Sequence, residues 1–177
     1  MKPVGVILAG GASQRMGQEK ANMFGGVERL RQCLFDAGIE RCVVLCGKEK
    51  RAALFDGEVM ADPPYVDGLH QIIPWVQKTI GASILLVPCD AFLLTSEAVA
   101  ALLEATPDGG VPLDENGRRQ PLFAHLPEGY TGDESATSVL GLVESLPTVD
   151  ISEHRSAFAN FNRPSDLQHP QLAHRPV

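Results

Sequence analysis

The sequence predicts an α/β protein with a three-layer α/β/α architecture: a doubly wound, mostly parallel Rossmann-like sheet, with an antiparallel strand near the C-terminal half. Three observations predict it. Short apolar runs rich in branched residues alternate with stretches of helical periodicity. Those runs are apolar throughout, as strands buried on both faces are. Neither an internal repeat nor a linker interrupts the alternation, so helices are expected on both faces of one sheet.

The first strand spans Pro3 to Ala9 and stops at Gly10-Gly11. Leu30, Cys33, Leu34 and Ala37 recur at helical spacing, and Gly38 provides the stop. Arg41 to Cys46 and Glu58 to Ala61 are two further strands, ended by Gly47 and by Asp62-Pro63-Pro64. Leu69, Ile72, Ile73, Val76 and Ile80 mark a second helix, and Ser83 to Val87 is the most strand-like stretch of the chain. After a helix over Ser96 to Ala105, the runs Gly109 to Leu113 and Pro121 to Leu126 read as a hairpin around Asp114-Glu115-Asn116-Gly117. A last helix carries Val139, Leu140, Val143 and Leu146, and a strand follows around Val149 to Ile151. The 177 residues are expected to form one domain over 1–177, with the tail from about residue 168 outside the core.

Composition narrows the partners. A formal charge of −7 argues against broad nucleic-acid binding, which needs a basic surface to displace phosphate counterions. The apolar runs are too short for a membrane span, and the chain enters its first strand without the pattern of a secretory signal, so a cytoplasmic location is expected. Cys33, Cys42, Cys46 and Cys89 contain no C-x-x-C pair and read as free thiols; the histidines, His125 among them, read as surface residues.

Ligands of doubly wound sheets bind beyond the carboxyl ends of the strands. The loop that follows the first strand, Gly10 to Lys20, combines three glycines with Arg15 and Lys20. Glycines let successive backbone N–H groups approach an anion, and the two cations add charge, so the expected ligand is a phosphate chain. The spacing matches neither G-x-x-x-x-G-K-[ST] nor G-x-G-x-x-G. Carboxylates at strand ends suit a hard divalent cation. Asp90, after Pro88-Cys89, is the first candidate and is expected to face solvent; Asp62 is the second, with a turn role before its two prolines as the alternative. A capping role for Asp90 is disfavoured because Thr95 or Ser96 stands closer to the next helix.

The run from Leu8 to Lys20, L-A-G-G-A-S-Q-R-M-G-Q-E-K, resembles the signature of the nucleotidyltransferases that include molybdenum cofactor guanylyltransferase. Leu86-Val87-Pro88-Cys89-Asp90, Gln120-Pro121-Leu122-Phe123-Ala124 and Asn160-Phe161-Asn162-Arg163-Pro164-Ser165-Asp166-Leu167 match in the same order, so the resemblance spans the chain. It implies transfer of GMP from GTP to molybdopterin with release of pyrophosphate, with Mg2+ as cofactor and possible transient contact with molybdoenzyme maturation proteins. By the same resemblance, Leu8, Ala9, Gly10 and Gly11 would meet the nucleotide, Arg15 and Lys20 its phosphates, and Asp90 the metal. Asp62 would stand on the nucleotide side of the metal, while Asn160 and Asn162 would face the second substrate. Turn-capping by these two amides is the alternative. The stretch Asp67-Gly68-Leu69-His70-Gln71 keeps only the first glycine of the family's G-P-L-x-G. Two other readings therefore stand beside the first: transfer of another nucleotide, such as CMP, to a pterin or other phosphorylated acceptor, and a catalytically weak nucleotide-binding partner in cofactor assembly.

Overall fold

A computed structural model describes residues 2–10, 20–161 and 164–172. Strand β1 (Val4–Leu8) is central, and its alternation shows why it is apolar throughout: Val4, Val6 and Leu8 join one hydrophobic layer, while Ile7 and Ala9 join the other. The same split divides Val43 and Leu45 from Val44 in β2 (Cys42–Gly47), and Ile84 and Leu86 from Leu85 and Val87 in β4 (Ile84–Pro88). Helix α1 (Gly26–Asp36) and helix α3 (Ser96–Ala105) cover one face; α2 (Leu69–Ile80) and the short α4 (Val139–Leu142) cover the other. Gly5 lets α1 come close, since a Cβ there would sit 2.8 Å from Leu34 Cδ1.

Among the described residues the main sheet has the order β3-β2-β1-β4-β6, with β3 spanning Glu58–Ala61 and β6 His125–Leu126. The first four strands are parallel and β6 runs antiparallel to β4. The chain leaves β1 towards β2 and β3, then returns over α2 to β4 on the opposite side of β1. Strand order therefore reverses between β1 and β4, which is where such sheets open a crevice. Leu8 pairs with Pro88, so Gly10 and Asp90 each stand two residues beyond the same rung.

The expected hairpin forms in part, and each of its runs also pairs elsewhere. Val111–Pro112 (β5) pairs in parallel with Thr148–Val149 (β7), Pro121–Phe123 is a 3-10 turn, and β6 pairs with β4. Proline lacks the N–H a ladder needs, and a turn at Pro121 buries Phe123 against Phe158 at 5.5 Å instead. Hairpin pairing is kept at its two ends, in the antiparallel bridges Gly110–His125 and Leu113–Arg119, and is interrupted between them by the turn. The last helix is also shorter than its periodicity implies. The C-terminal tail differs from expectation too: a 3-10 turn over Pro170–Leu172 buries Leu172 with Phe24, Phe92 and Phe161.

All four cysteines are free; Cys33, Cys42 and Cys46 are buried, and burial raises the thiols of Cys33 and Cys42 to about 11. No helix among the described residues is long and apolar enough to cross a membrane. His125, expected at the surface, is buried in β6. Its Nδ1 lies 2.7 Å from the Thr106 carbonyl, and the Thr106 hydroxyl already donates to the Leu102 carbonyl at 2.6 Å. Nδ1 therefore carries the proton. Burial lowers this imidazole below its ordinary range, so the fold favours the neutral ring. The unfolded chain then binds the extra proton, and this contribution to stability is complete above pH of about 6.5 and lost as pH falls through the lower folded value. Urea midpoints should therefore fall between pH 7 and pH 5, and His125→Gln should flatten that slope; an unchanged slope would remove His125 as its source.

Candidate active site

Three of the residues singled out in the sequence gather at the carboxyl end of β1. Gly10 and Gly47 meet there backbone to backbone: a Cβ on Gly10 would stand 2.8 Å from Gly47 Cα, and one on Gly47 would stand 2.8 Å from Gly10 Cα and its carbonyl oxygen. Gly47 also has φ +78, a left-handed conformation reached at a β-bulge between β2 and β3. The Gly47 carbonyl accepts the Asp62 N–H at 2.7 Å, which anchors the start of the loop after β3. With strands spaced about 4.8 Å apart, β3 lies roughly 10 Å from β1. Asp62 closes that gap with its side chain, since its Oδ2 is 3.5 Å from the position a Gly10 Cβ would take. Burial raises its carboxyl above the ordinary aspartate range.

Asp90 comes from the neighbouring strand. It sits in a tight turn in which Ala91 N–H donates to Pro88 and Phe92 N–H donates to Asp90, at 3.0 and 2.8 Å. From α1, the Arg29 guanidinium holds that turn through the carbonyls of Ala91, at 2.7 Å, and Leu94, at 3.0 Å. Asp90 is 6% exposed. Solvent exposure, the expectation for a carboxylate at a strand end, is corrected here: Asp90 is buried in a turn whose next residues, Phe92 and Leu93, pack into an aromatic cluster. The cap of α3 is Thr95, whose hydroxyl accepts the Ala98 N–H at 3.2 Å, so Asp90 is not spent on capping.

Leu8 and Ala9 have buried side chains, and the Leu8 carbonyl, the Ala9 N–H and the Ala9 carbonyl are bonded to Cys89, Leu45 and Arg51. Gly11, Arg15 and Asn162 lie outside the described residues, as does the side chain of Lys20. Beyond them, Phe24 takes a left-handed φ of 50, uncommon for a non-glycine residue, with its ring 4.8 Å from Phe92. Phe92 in turn lies 5.3 Å from Phe161. This aromatic chain connects the exit of the glycine loop, the Asp90 turn and the C-terminal segment, and so brings Asn160 to the Asp90 side of the sheet. The Asn160 Oδ1 is buried with no hydrogen-bond partner among the described residues, so turn-capping does not account for it. Asn160 lines a polar cleft of about 1010 Å³ together with Glu115, Arg118, Gln120, Asp166 and His169. His169 reaches Glu115 at 3.3 Å across this cleft.

No group of three or more His, Cys, Asp or Glu side chains able to hold a metal occurs among the described residues. The donor set instead comprises one or two aspartates at strand ends, which fits a hard cation that completes its shell with water and substrate phosphates. One polar residue at this edge escaped sequence reading. Arg51 lies in a run of mixed charge, Lys48-Glu49-Lys50-Arg51, and nothing in that run marks which cation folds back onto the sheet.

An α/β sheet with a close glycine contact at the end of β1 and aspartates at the ends of two of its strands belongs to the class of proteins that bind ligands at a switch point. The chain matches the MobA-like NTP transferase domain over residues 5–136 and belongs to that family. It is 30% identical to a probable molybdenum cofactor guanylyltransferase of Bacillus velezensis, covering 94% of this chain and 93% of that protein. It is 36% identical to the molybdenum cofactor guanylyltransferase of Rhizobium meliloti, over 76% of this chain and 67% of that one. The fold resembles the crystal structure of molybdopterin-guanine dinucleotide biosynthesis protein A from Archaeoglobus fulgidus, with a TM-score of 0.71, 20% identity and coverage of 93% and 94%.

Gly47→Ala should cost about 2 kcal/mol or more, from the left-handed backbone and the backbone clash together. Urea denaturation measures it; a loss below about 0.5 kcal/mol would show that the strand ends part without penalty.

Proposed function

We propose that this nucleotidyltransferase transfers GMP from GTP to molybdopterin and releases pyrophosphate, as a step of molybdenum cofactor biosynthesis in the cytoplasm. The observation that carries this reading is the convergence of Gly10, Asp62 and Asp90 at the β1/β4 switch point, in a chain whose curated relatives are named for that transfer. The terminal phosphate oxygen of the pterin attacks the α-phosphorus of GTP; the bond to the β-phosphate oxygen breaks, and pyrophosphate leaves. Such a displacement depends on positioning and on neutralising charge.

In this reading the backbone of Leu8, Ala9, Gly10 and Gly11 receives the nucleotide, and Arg15 and Lys20 hold the phosphates. Asp90 is the principal ligand of Mg2+, with Asp62 on the nucleotide side. Bound there, the ion would offset the charge of the phosphates and orient them. Burial disfavours the charged Asp62 carboxylate in the protein alone, which is the condition a nearby cation relieves. Asn160 and Asn162 face the acceptor, and the partnerless Asn160 Oδ1 supports that role because it can accept a hydrogen bond from an N–H or O–H of the acceptor. Maturation proteins would take the product by transient contact.

The altered loop after Asp62 favours one second reading. Here Gly68 adopts φ 95 ahead of α2, and a Cβ on it would stand 3.1 Å from the His70 ring, in the stretch where the family pattern has Pro-Leu. Transfer of another nucleotide, such as CMP, to a pterin or related acceptor follows if that change resets base choice.

Pyrophosphate release with Mg2+, molybdopterin and each of the four NTPs separates these readings: turnover with GTP alone supports the first, turnover with CTP the second, and binding without turnover a nucleotide-binding partner. Asp90→Asn should lower turnover by a factor on the order of 10²–10³, with a cooperative melt retained. Wild-type turnover in that variant would remove Asp90 from the site.

A further inference from the structure

Arg51 is carried on the 3-10 turn Glu49–Leu54 that follows β2. Its side chain returns over the carboxyl edge of the sheet, where Nε donates to the Cys46 carbonyl at 2.9 Å and an η nitrogen donates to the Ala9 carbonyl at 2.8 Å. One rigid, planar fork therefore spans the ends of two adjacent strands, on residues that directly precede the Gly10–Gly47 contact. A lysine, with a single point charge on a flexible stem, does not reproduce that geometry.

The consequence follows from the geometry of the peptide bond. A trans peptide is planar, and its C=O and N–H point in opposite directions. Along β1 these groups alternate between neighbours: the Leu8 carbonyl accepts Cys89 N–H from the β4 side at 3.2 Å, and Ala9 N–H donates to Leu45 on the β2 side at 2.8 Å. The next peptide joins Ala9 to Gly10. The register of β1 with β2 ends at Leu8–Leu45, and beyond it Arg51 is the partner that holds the Ala9 carbonyl towards the β2 side. With that carbonyl held, the Gly10 N–H points the other way, across the switch point towards the Asp90 turn.

We propose that Arg51 is a positioning residue for nucleotide binding: by clamping the Ala9 and Cys46 carbonyls it aims the Gly10 N–H at the incoming nucleotide and sets the geometry in which the glycine loop begins. Its guanidinium acts through the backbone, and its charge adds to the potential that attracts an anionic ligand to this edge. The inference rests on the reading of this edge as a nucleotide site.

The test is calorimetric titration of wild type, Arg51→Met and Arg51→Lys with the Mg2+ complexes of GTP, CTP, ATP and UTP, alongside pyrophosphate release and thermal melts. For whichever nucleotide binds wild type, Arg51→Met should raise Kd at least tenfold while kcat at saturating nucleotide stays within threefold. Arg51→Lys, which keeps charge and loses the fork, should recover only part of that affinity. A Kd within twofold of wild type in Arg51→Met overturns the proposal, as does a loss confined to kcat. Full recovery in Arg51→Lys would also overturn it, because charge alone would then suffice. Should Arg51→Met not fold, the lysine variant decides by itself: a Kd equal to wild type refutes the clamp, and a raised Kd with kcat preserved supports it. Failure of wild type to bind any of the four nucleotides would instead sink the nucleotide reading, and this inference with it.

Discussion

The constraint on which this edge of the molecule depends is the contact between the Gly10 and Gly47 backbones at the carboxyl end of the sheet. Neither position has room for a methyl group, because the opposing atoms are main chain and cannot swing aside as the end of a side chain could. From that contact follow the bulge in β2, the anchoring of Asp62 through its N–H, and the reach of the Asp62 carboxylate across to the end of β1. Arg51 secures the same edge from outside by holding a carbonyl on each strand.

Around this edge the protein places few fixed charges and much backbone. The chain carries a net charge of −7, and two of its carboxylates stand close to where a polyphosphate is proposed to bind. Carboxylates and phosphates repel one another, so the proposed chemistry requires compensation in place: a divalent ion at Asp90, aimed N–H groups in the glycine loop and the cations Arg15 and Lys20. The rest of the architecture holds these parts. Arg29 pins the Asp90 turn, and the contacts among Phe24, Phe92 and Phe161 dock the C-terminal segment against it, which is how Asn160 comes to the side of the sheet that carries a turn 70 positions away in the chain.

The central parallel strands were legible because burial on both faces leaves an unbroken apolar signature, and the longer helices by their period; β1, β4 and Ser96–Ala105 fall where those patterns place them. Beyond residue 105 the strands have only two residues each, too short for periodicity to register, and the hairpin expected there keeps two bridges while its runs also pair with β4 and β7. Asp90 and His125 were both expected to be exposed and are both buried. Polarity predicts exposure only until neighbouring apolar groups, here Phe92 and Leu93 for Asp90, carry a polar side chain inward with them.

By itself the sequence determined the layered α/β architecture and Asp62 and Asp90 as carboxylates at strand ends. These are local properties: hydrophobic period, turn chemistry and residue type within a few positions of one another. Only the tertiary structure decided that Asp62 leans over Gly10, that Asn160 joins the Asp90 side, and that Arg51 rather than another cation of its turn returns to the sheet. Each of those depends on which strands become neighbours and how their ends are staggered, and such long-range geometry leaves no periodic trace along the chain.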